Sequence, residues 1–244
     1  EIIINSVVSS YSDGSEIQCF GSNTGSIDLT ISGGVPEYSF EWTDFSGNSI
    51  SNNEDLNNIP AGIYSVTVTD SSGSNCIAQE EYILTEPPNI QIDEIHEDLL
   101  CYGDNDGSIQ ISISGGVPPY EFTWLDGQTD LSLDSLQSGV YSLTVIDSNL
   151  CSSSIDILID EPDPLELIEV ISDFSCSTNI SCFDANDASI SVEILGGTEP
   201  FNIQWLDSDG NSLDFSLSSI SEISPGDYTI IVDDFNNCSI SETY

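Results

Sequence analysis

The chain has 244 residues, with 43 Asp plus Glu, no Lys, no Arg and one His, for a formal net charge of −43. Nucleic acid is excluded as a partner because nothing can neutralise phosphates, anionic lipid surfaces are disfavoured for the same reason, and no salt bridge to Lys or Arg can form. Yet apolar residues make up 38% and charged residues only 18%, below the usual quarter, so this is a foldable chain and not a polyelectrolyte tail.

Self-repulsion must be screened by salt or bound cations. There is no initiator Met, no signal peptide and no apolar run long enough to span a bilayer, so direct membrane insertion is not expected. The opening on Glu1-Ile2-Ile3-Ile4 and the stop at Thr243-Tyr244 read as those of an excerpt from a longer protein.

In chain order, Ile2–Val8 reads as a first strand, followed by the turn cluster Tyr11–Ser15 and a second turn, Cys19-Phe20-Gly21-Ser22-Asn23-Thr24-Gly25. Ser26–Ile31 alternates, with Ile27, Leu29 and Ile31 on one face. Gly33-Gly34-Val35-Pro36 then feeds a short strand ending at Trp42. Residues 44–58 are polar and predict a loop with at most one short edge strand. Gly62–Asp70 is the strongest strand signal, and Cys76 opens a last strand running to Thr85-Glu86-Pro87-Pro88.

The same order recurs twice. Cys101 to Gly107, Gly115-Gly116-Val117-Pro118 to Trp124, Gly139–Asp147, Cys151 and Glu161-Pro162 form a second copy. Cys182 to Ala188, Gly196-Gly197 to Trp205, Gly226–Asp234 and Cys238 form a third. The tryptophans recur at intervals of about 80 residues, roughly one β-sandwich. Domains are therefore expected at 1–88, 89–162 and 163–244, the last truncated at its final strand. No stretch reads as a helix. The fold class is all-β: tandem immunoglobulin-like sandwiches in a rod-like array, because the Glu-Pro junctions favour stiff, extended linkers.

These motifs identify a family by resemblance. Cys-(Phe/Tyr)-Gly-x-x-x-Gly-Ser-Ile, Ser-Gly-Gly-x-Pro-x-Tyr-x-Phe-x-Trp, Gly-x-Tyr-x-(Val/Leu)-Thr-Val-x-Asp, then Cys and Glu-Pro, resemble the SprB-type repeat of giant cell-surface gliding-motility adhesins of gliding bacteria. Copy three departs, with Asp184 and Ala188 at two glycine positions and its proline at Pro200. The resemblance implies extracellular display, type IX secretion, an immunoglobulin-like fold, and surface adhesion during gliding motility. Expected partners are neighbouring repeats of the same chain, and possible further ones are surface polysaccharide or lateral copies.

Seven cysteines form three recurrent pairs and one extra: Cys19/Cys76, Cys101/Cys151, Cys182/Cys238, and Cys176 unpaired. Recurrence in an exported protein favours one disulfide per domain; seven buried thiols are the alternative. Such a pairing requires the segment before the second strand to double back, since the two cysteines otherwise sit at opposite ends of a sandwich.

Asp104, Asn105 and Asp106, with Asp184, Asn186 and Asp187, carry oxygens suited to calcium, the one cofactor considered; solvated Asx turns are the competing reading. Asp70, Asp147 and Asp233, at the ends of the Gly-x-Tyr strands, are expected to bond the backbone of the next turn, with metal binding alongside Glu86 or Glu161 as the alternative. Tyr64, Tyr141 and Tyr228 resemble tyrosine corners, and Trp42, Trp124 and Trp205 are expected in the cores, or alternatively exposed for stacking on sugars. Asp134-Ser135-Leu136 is a weak match to an O-glycan acceptor. The lone His96 lies outside every recurring motif and no nucleophile–base set can be assembled, so no enzyme activity is expected.

Three readings of function follow: a structural or adhesive stalk, a calcium-dependent glycan-binding array, and a halophile-type acidic surface on an otherwise ordinary secreted protein. The loops at 44–58, 126–136 and 207–222 share no common ligand residues, which favours the stalk.

Overall fold

The computed structural model describes residues 1–72, 76–171, 187–213 and 217–244. Secondary structure there is entirely β apart from turns. The chain falls into two compact units, one of residues 1–94, 111–130 and 142–156, the other of 95–110, 131–141 and 157–244.

The first unit holds β1 (Ile2–Val8), β2 (Gly25–Gly33), β3 (Ser39–Asp44), β4 (Ser49–Ser51), β5 (Leu56–Ile59), β6 (Gly62–Thr69) and β7 (Ile77–Leu84). They form a sheet β1-β2-β5 and a sheet β4-β3-β6-β7, antiparallel wherever strands pair. Three strands facing four in this order is an immunoglobulin-like sandwich. Alternation explains which faces meet. Ile27 and Leu29 of β2 point inward with Leu56 of β5, against Trp42 of β3 and Tyr64, Val66 and Val68 of β6. The intervening residues Asp28 and Thr30 face out, as period-2 strands require.

Chain order continues with β8 (Gln91–Glu97), β9 (Gly107–Ser114), β10 (Glu121–Trp124), β11 (Ser132–Leu136), β12 (Gly139–Ile146) and β13 (Ser152–Ile159). Two sheets result, β11-β9-β8 and β10-β12-β13. The second unit ends with β14 (Glu166–Ile171), β15 (Ala188–Leu195), β16 (Asn202–Leu206), β17 (Ser212–Leu213), β18 (Ser219–Ile223), β19 (Thr229–Asp233) and β20 (Ser239–Thr243). Their sheets, β14-β15-β18 and β17-β16-β19-β20, repeat the first pattern strand for strand. The core here joins Ile190 and Val192 to Trp205, Ile220, Ile230 and Val232.

The stretch 44–58 holds two strands, β4 and β5, where at most one was expected. Strand β5 and its counterparts β11 and β18 are short and interrupted. Asn58, Ser135 and Glu222 there adopt positive φ (56°, 58° and 58°), and the pairing register with the neighbouring strand shifts at each. One residue of slip breaks the alternation that marks a strand in sequence.

Each tryptophan is fully or almost fully buried and has its indole N–H satisfied by a loop carbonyl: Trp42 donates to Asn53 O at 3.0 Å, Trp124 to Asp130 O at 2.8 Å and Trp205 to Leu217 O at 3.0 Å. The three tyrosine hydroxyls donate four residues back, Tyr64 to Pro60 O, Tyr141 to Gln137 O and Tyr228 to Ser224 O, the geometry of a tyrosine corner. Trp124→Ala is expected to destabilise the chain by about 3–5 kcal/mol, through lost burial and the cavity left behind. Urea unfolding followed by the remaining tryptophans measures this; a loss under about 1 kcal/mol would show the site collapses freely.

Candidate functional site

The residues shared by the copies converge on two devices, one at the start of the last strand of each copy and, in the first two copies, one at its end. At the start of that strand sits an aspartate-held loop. Asp70 Oδ2 accepts from Val35 N at 3.1 Å, in the Gly-Gly turn, while Oδ1 accepts from Ser72 N and Cys76 N, both at 3.1 Å. Asp147 repeats this with Val117 N (3.0 Å), Asn149 N and Cys151 N (both 2.9 Å). Asp234 does so with Thr198 N (2.9 Å), Asn236 N (2.8 Å) and Cys238 N (2.9 Å). The third member is thus Asp234 and not Asp233. Counting from the strand-opening glycine places Asp234 in register with Asp70 and Asp147, and Asp233 is the last residue of β19, paired with Ser239.

All three aspartates are buried, and their carboxylates replace lost water with backbone N–H groups. The Asp70 carboxyl lies below its ordinary range, chiefly because the Ser72 hydroxyl donates to it. Double glycines make the approach possible. Gly33 and Gly34, Gly115 and Gly116, and Gly196 and Gly197 all adopt positive φ, and a Cβ at Gly115 would lie 1.9 Å from Asn89 O.

At the other end sits the cysteine turn. Glu16 N and Ile17 N both donate to Thr85 O, just beyond β7, and Glu16 Oε2 accepts from Thr85 N. Ile17 is fully buried in the core of the first unit. Glu86 Oε2 accepts from Gly21 N at 2.7 Å, and Glu161 Oε2 accepts from Gly103 N at 2.8 Å. The Glu161 carboxyl is lowered by that bond first and by the Ser138 hydroxyl second. The glutamates of the Glu-Pro junctions thus hold the cysteine turns, a role that sequence reading missed. Its signal was the joint recurrence of Glu-Pro and Cys-x-Gly in the first two copies.

Among the described residues the cysteines do not pair within copies. Cys19 bonds Cys151, 132 residues away, and Cys101 bonds Cys238, 137 residues away. The expected pairs Cys19/Cys76 and Cys101/Cys151 are corrected, and so is Cys182/Cys238, because Cys238 is taken by Cys101. Ile17 and Glu16 fix Cys19 beside the end of β7, whereas Cys76 precedes its start. Eight residues of strand separate the two, roughly 27 Å at about 3.4 Å per residue. A disulfide tolerates at most about 7 Å between Cα atoms. The segment before β2 does not double back; each bridge runs from the turn of one copy to the aspartate-held loop of the next. Cys76 is a free, exposed thiol. Cys176 and Cys182 lie outside the described residues.

Both bridges carry the same support. Asn149 Nδ2 donates to Gln18 O at 3.2 Å, the carbonyl before Cys19, and Asn236 Nδ2 donates to Leu100 O at 3.0 Å, the carbonyl before Cys101. In the first bridge Gln18 Nε2 also donates to Asn149 O at 2.8 Å.

Of the residues considered for calcium, Asp104, Asn105 and Asp106 are exposed. Asp106 Oδ1 accepts from Leu100 N at 3.3 Å, inside the turn. Asp184 and Asn186 lie outside the described residues, and Asp187 is exposed. Among the described residues no three His, Cys, Asp or Glu side chains cluster as metal ligands. The variable loops do share one feature, a turn closed by its first aspartate: Asp44, Asp126 and Asp207 each accept backbone N–H bonds two residues on. His96 Nε2 lies 3.8 Å from Asp98 Oδ1. No helix among the described residues is long and apolar enough to cross a membrane.

Comparison with known proteins agrees with these repeats. A family profile described as "SprB repeat" matches residues 13–47, 94–129 and 173–210. Each match begins before a cysteine turn and ends beyond a core tryptophan. No curated protein matches the chain. Among solved structures, Sidekick-1 immunoglobulin domains 1–5 are similar at 13% identity, covering 100% of this chain and 58% of that one, with a TM-score of 0.34. The N-terminal four immunoglobulin domains of Dscam1 isoform 4.4 are similar at 14% identity, covering 99% and 72%, with a TM-score of 0.25. At such TM-scores the likeness carries no weight, and the fold is defined by the strand order of the sheets. The SprB-repeat profile thus matches the chain three times, once in each copy.

Proposed function

We propose that this chain is a spacer segment of an extracellular adhesive array, used in surface adhesion and gliding motility, and that it has no catalytic role. The observation that carries this reading is where the shared residues go. Asp70, Asp147 and Asp234, the double glycines, Glu86, Glu161 and both disulfides all build a repeat or join it to the next. Disulfides in this number belong to an oxidising compartment outside the cell, and the absence of Lys and Arg leaves no site for trypsin-like proteases. Adhesion then resides in parts of the array that these repeats hold away from the surface.

The experiment is glycan-array binding by this chain with and without calcium. No binding in either condition is the expected result. Calcium-dependent capture would replace the spacer reading with a glycan-binding array.

Screening gives a second expected outcome. With a formal charge of −43 and no Lys or Arg to pair with it, the melting temperature rises with sodium chloride, by roughly 2–4 °C for each 1 kcal/mol of repulsion removed. EDTA leaves it unchanged. A rise specific to calcium at constant ionic strength would instead place a bound cation in the acidic turns.

A further inference from the structure

We propose that Cys76 is the receiving half of a third inter-repeat disulfide, completed by the cysteine turn of another repeat of this kind. Cys76 occupies the place that Cys151 and Cys238 occupy in the other two copies. Its N–H donates to Asp70 Oδ1, as theirs donate to Asp147 Oδ1 and Asp234 Oδ1. Both counterparts are bonded to a cysteine turn, and Cys76 alone of the three is a free thiol.

The surroundings recur as well. A shallow cleft beside Cys151 is lined by Pro88, Ile90 and Leu150 and contains Cys19 and Phe20. One beside Cys238 is lined by Pro164, Leu165 and Asn237 and contains Cys101 and Tyr102. The cleft beside Cys76 is lined by Ile2, Ile3, Ile4 and Ile77, with no cysteine turn among its lining residues. Ile2, Ile90 and Leu165 hold the same position, under Gly34, Gly116 and Gly197. Ile3 and Ile77 are 53% and 62% exposed, so an arriving turn would cover apolar surface next to the sulfur. One difference is local. The Asp70 loop is two residues longer than its counterparts, and Ser72 stands where they have Asn149 and Asn236. Its hydroxyl bonds Asp70 and approaches the Cys76 sulfur at 3.8 Å.

The chemistry is thiol–disulfide exchange with a small disulfide oxidant. The Cys76 thiolate attacks one sulfur of oxidised glutathione and releases one glutathione. The turn thiolate of the second repeat then attacks the Cys76 sulfur and releases the other glutathione. Two thiols lose their protons, one S–S bond forms, and the oxidant leaves as two reduced glutathiones.

The test uses the full chain in an oxidised/reduced glutathione buffer, with a second copy as donor through Cys182, which heads the same Cys-Phe motif in sequence. Non-reducing electrophoresis reads covalent oligomers, and peptide mapping after cleavage at Glu identifies the joined cysteines. A Cys176→Ser background removes the nearby competitor. The control places an equally exposed thiol elsewhere, Ser46→Cys in a Cys76→Ser background. The expected result is a Cys76–Cys182 link formed about tenfold more than any link to the control thiol, equivalent to about 1.4 kcal/mol of docking. Cys76→Ser and Cys182→Ser should each abolish it, with the Cys19–Cys151 and Cys101–Cys238 peptides intact in the same map. Absence of covalent oligomers, equal linking of Cys76 and the control, or a predominance of Cys76–Cys76 links overturns the proposal. The readout is a bond between two cysteines, so it stands or fails apart from the spacer reading.

Discussion

Cys19→Ser with Cys151→Ser is expected to lower stability by about 5 kcal/mol, the largest effect of any change proposed for this chain. The bridge closes a loop of 132 residues, and in the chain-entropy model a loop of that size restricts the unfolded state by about 5 kcal/mol. The Cys101–Cys238 loop, 137 residues, overlaps it. Removing both therefore loses less than twice the single effect, because either bridge already confines much of the segment that the other closes. Urea unfolding of wild type, each double-serine variant and the quadruple variant measures the three numbers. Equal and additive losses would mean that the copies unfold independently, and a loss under about 1 kcal/mol would mean that the unfolded chain is compact without the bridges.

Asp70→Ala is expected to unseat the loop that carries Cys76. It leaves the N–H groups of Val35, Ser72 and Cys76 without their acceptor. These donors are only partly buried, so water takes over some of the lost bonds and the expected loss is about 1–3 kcal/mol. Asp70→Asn keeps an acceptor oxygen but turns an N–H donor toward backbone donors, and should recover less than half. Acid gives an independent check. The folded pKa of Asp70 is lowered, first by the Ser72 hydroxyl and then by the backbone bonds that outweigh desolvation. A group depressed on folding contributes stability above its unfolded pKa of about 3.9 and loses it as pH falls through the folded value. Wild type therefore loses stability below about pH 4 with a steeper slope than Asp70→Asn. Parallel slopes would show that other carboxylates dominate acid unfolding.

Particular residues show why some of this was legible in the sequence. Trp42, Trp124 and Trp205 recur after the same alternating run, and Ile27, Leu29, Val66 and Val68 keep a period of two, so strands, core and fold class could be read directly. The strands β5, β11 and β18 could not, because a positive-φ residue in each breaks the period. The disulfide partners were hidden for another reason. A cysteine turn in every copy and a cysteine loop in every copy give the same spacing whether bridges close within a copy or step to the next. Only the anchoring of Ile17 in the core and of Glu16 on Thr85 decides between them. The Asp234 assignment turned on a single residue of register where two aspartates are adjacent.

The stepped bridges also set how the chain responds to tension. The two loops interlock, since Cys101 lies inside the loop closed by Cys19 and Cys151. If every strand between Cys19 and Cys238 came apart under load, the shortest covalent route would cross one bridge, follow only the chain from Cys151 back to Cys101, and cross the other. That route is roughly 50 residues, or about 170 Å at about 3.4 Å each, where an unbridged chain would pay out about 750 Å. A pulled molecule would thus stop lengthening early and pass the load through sulfur. Force–extension traces with and without reductant would read that limit directly.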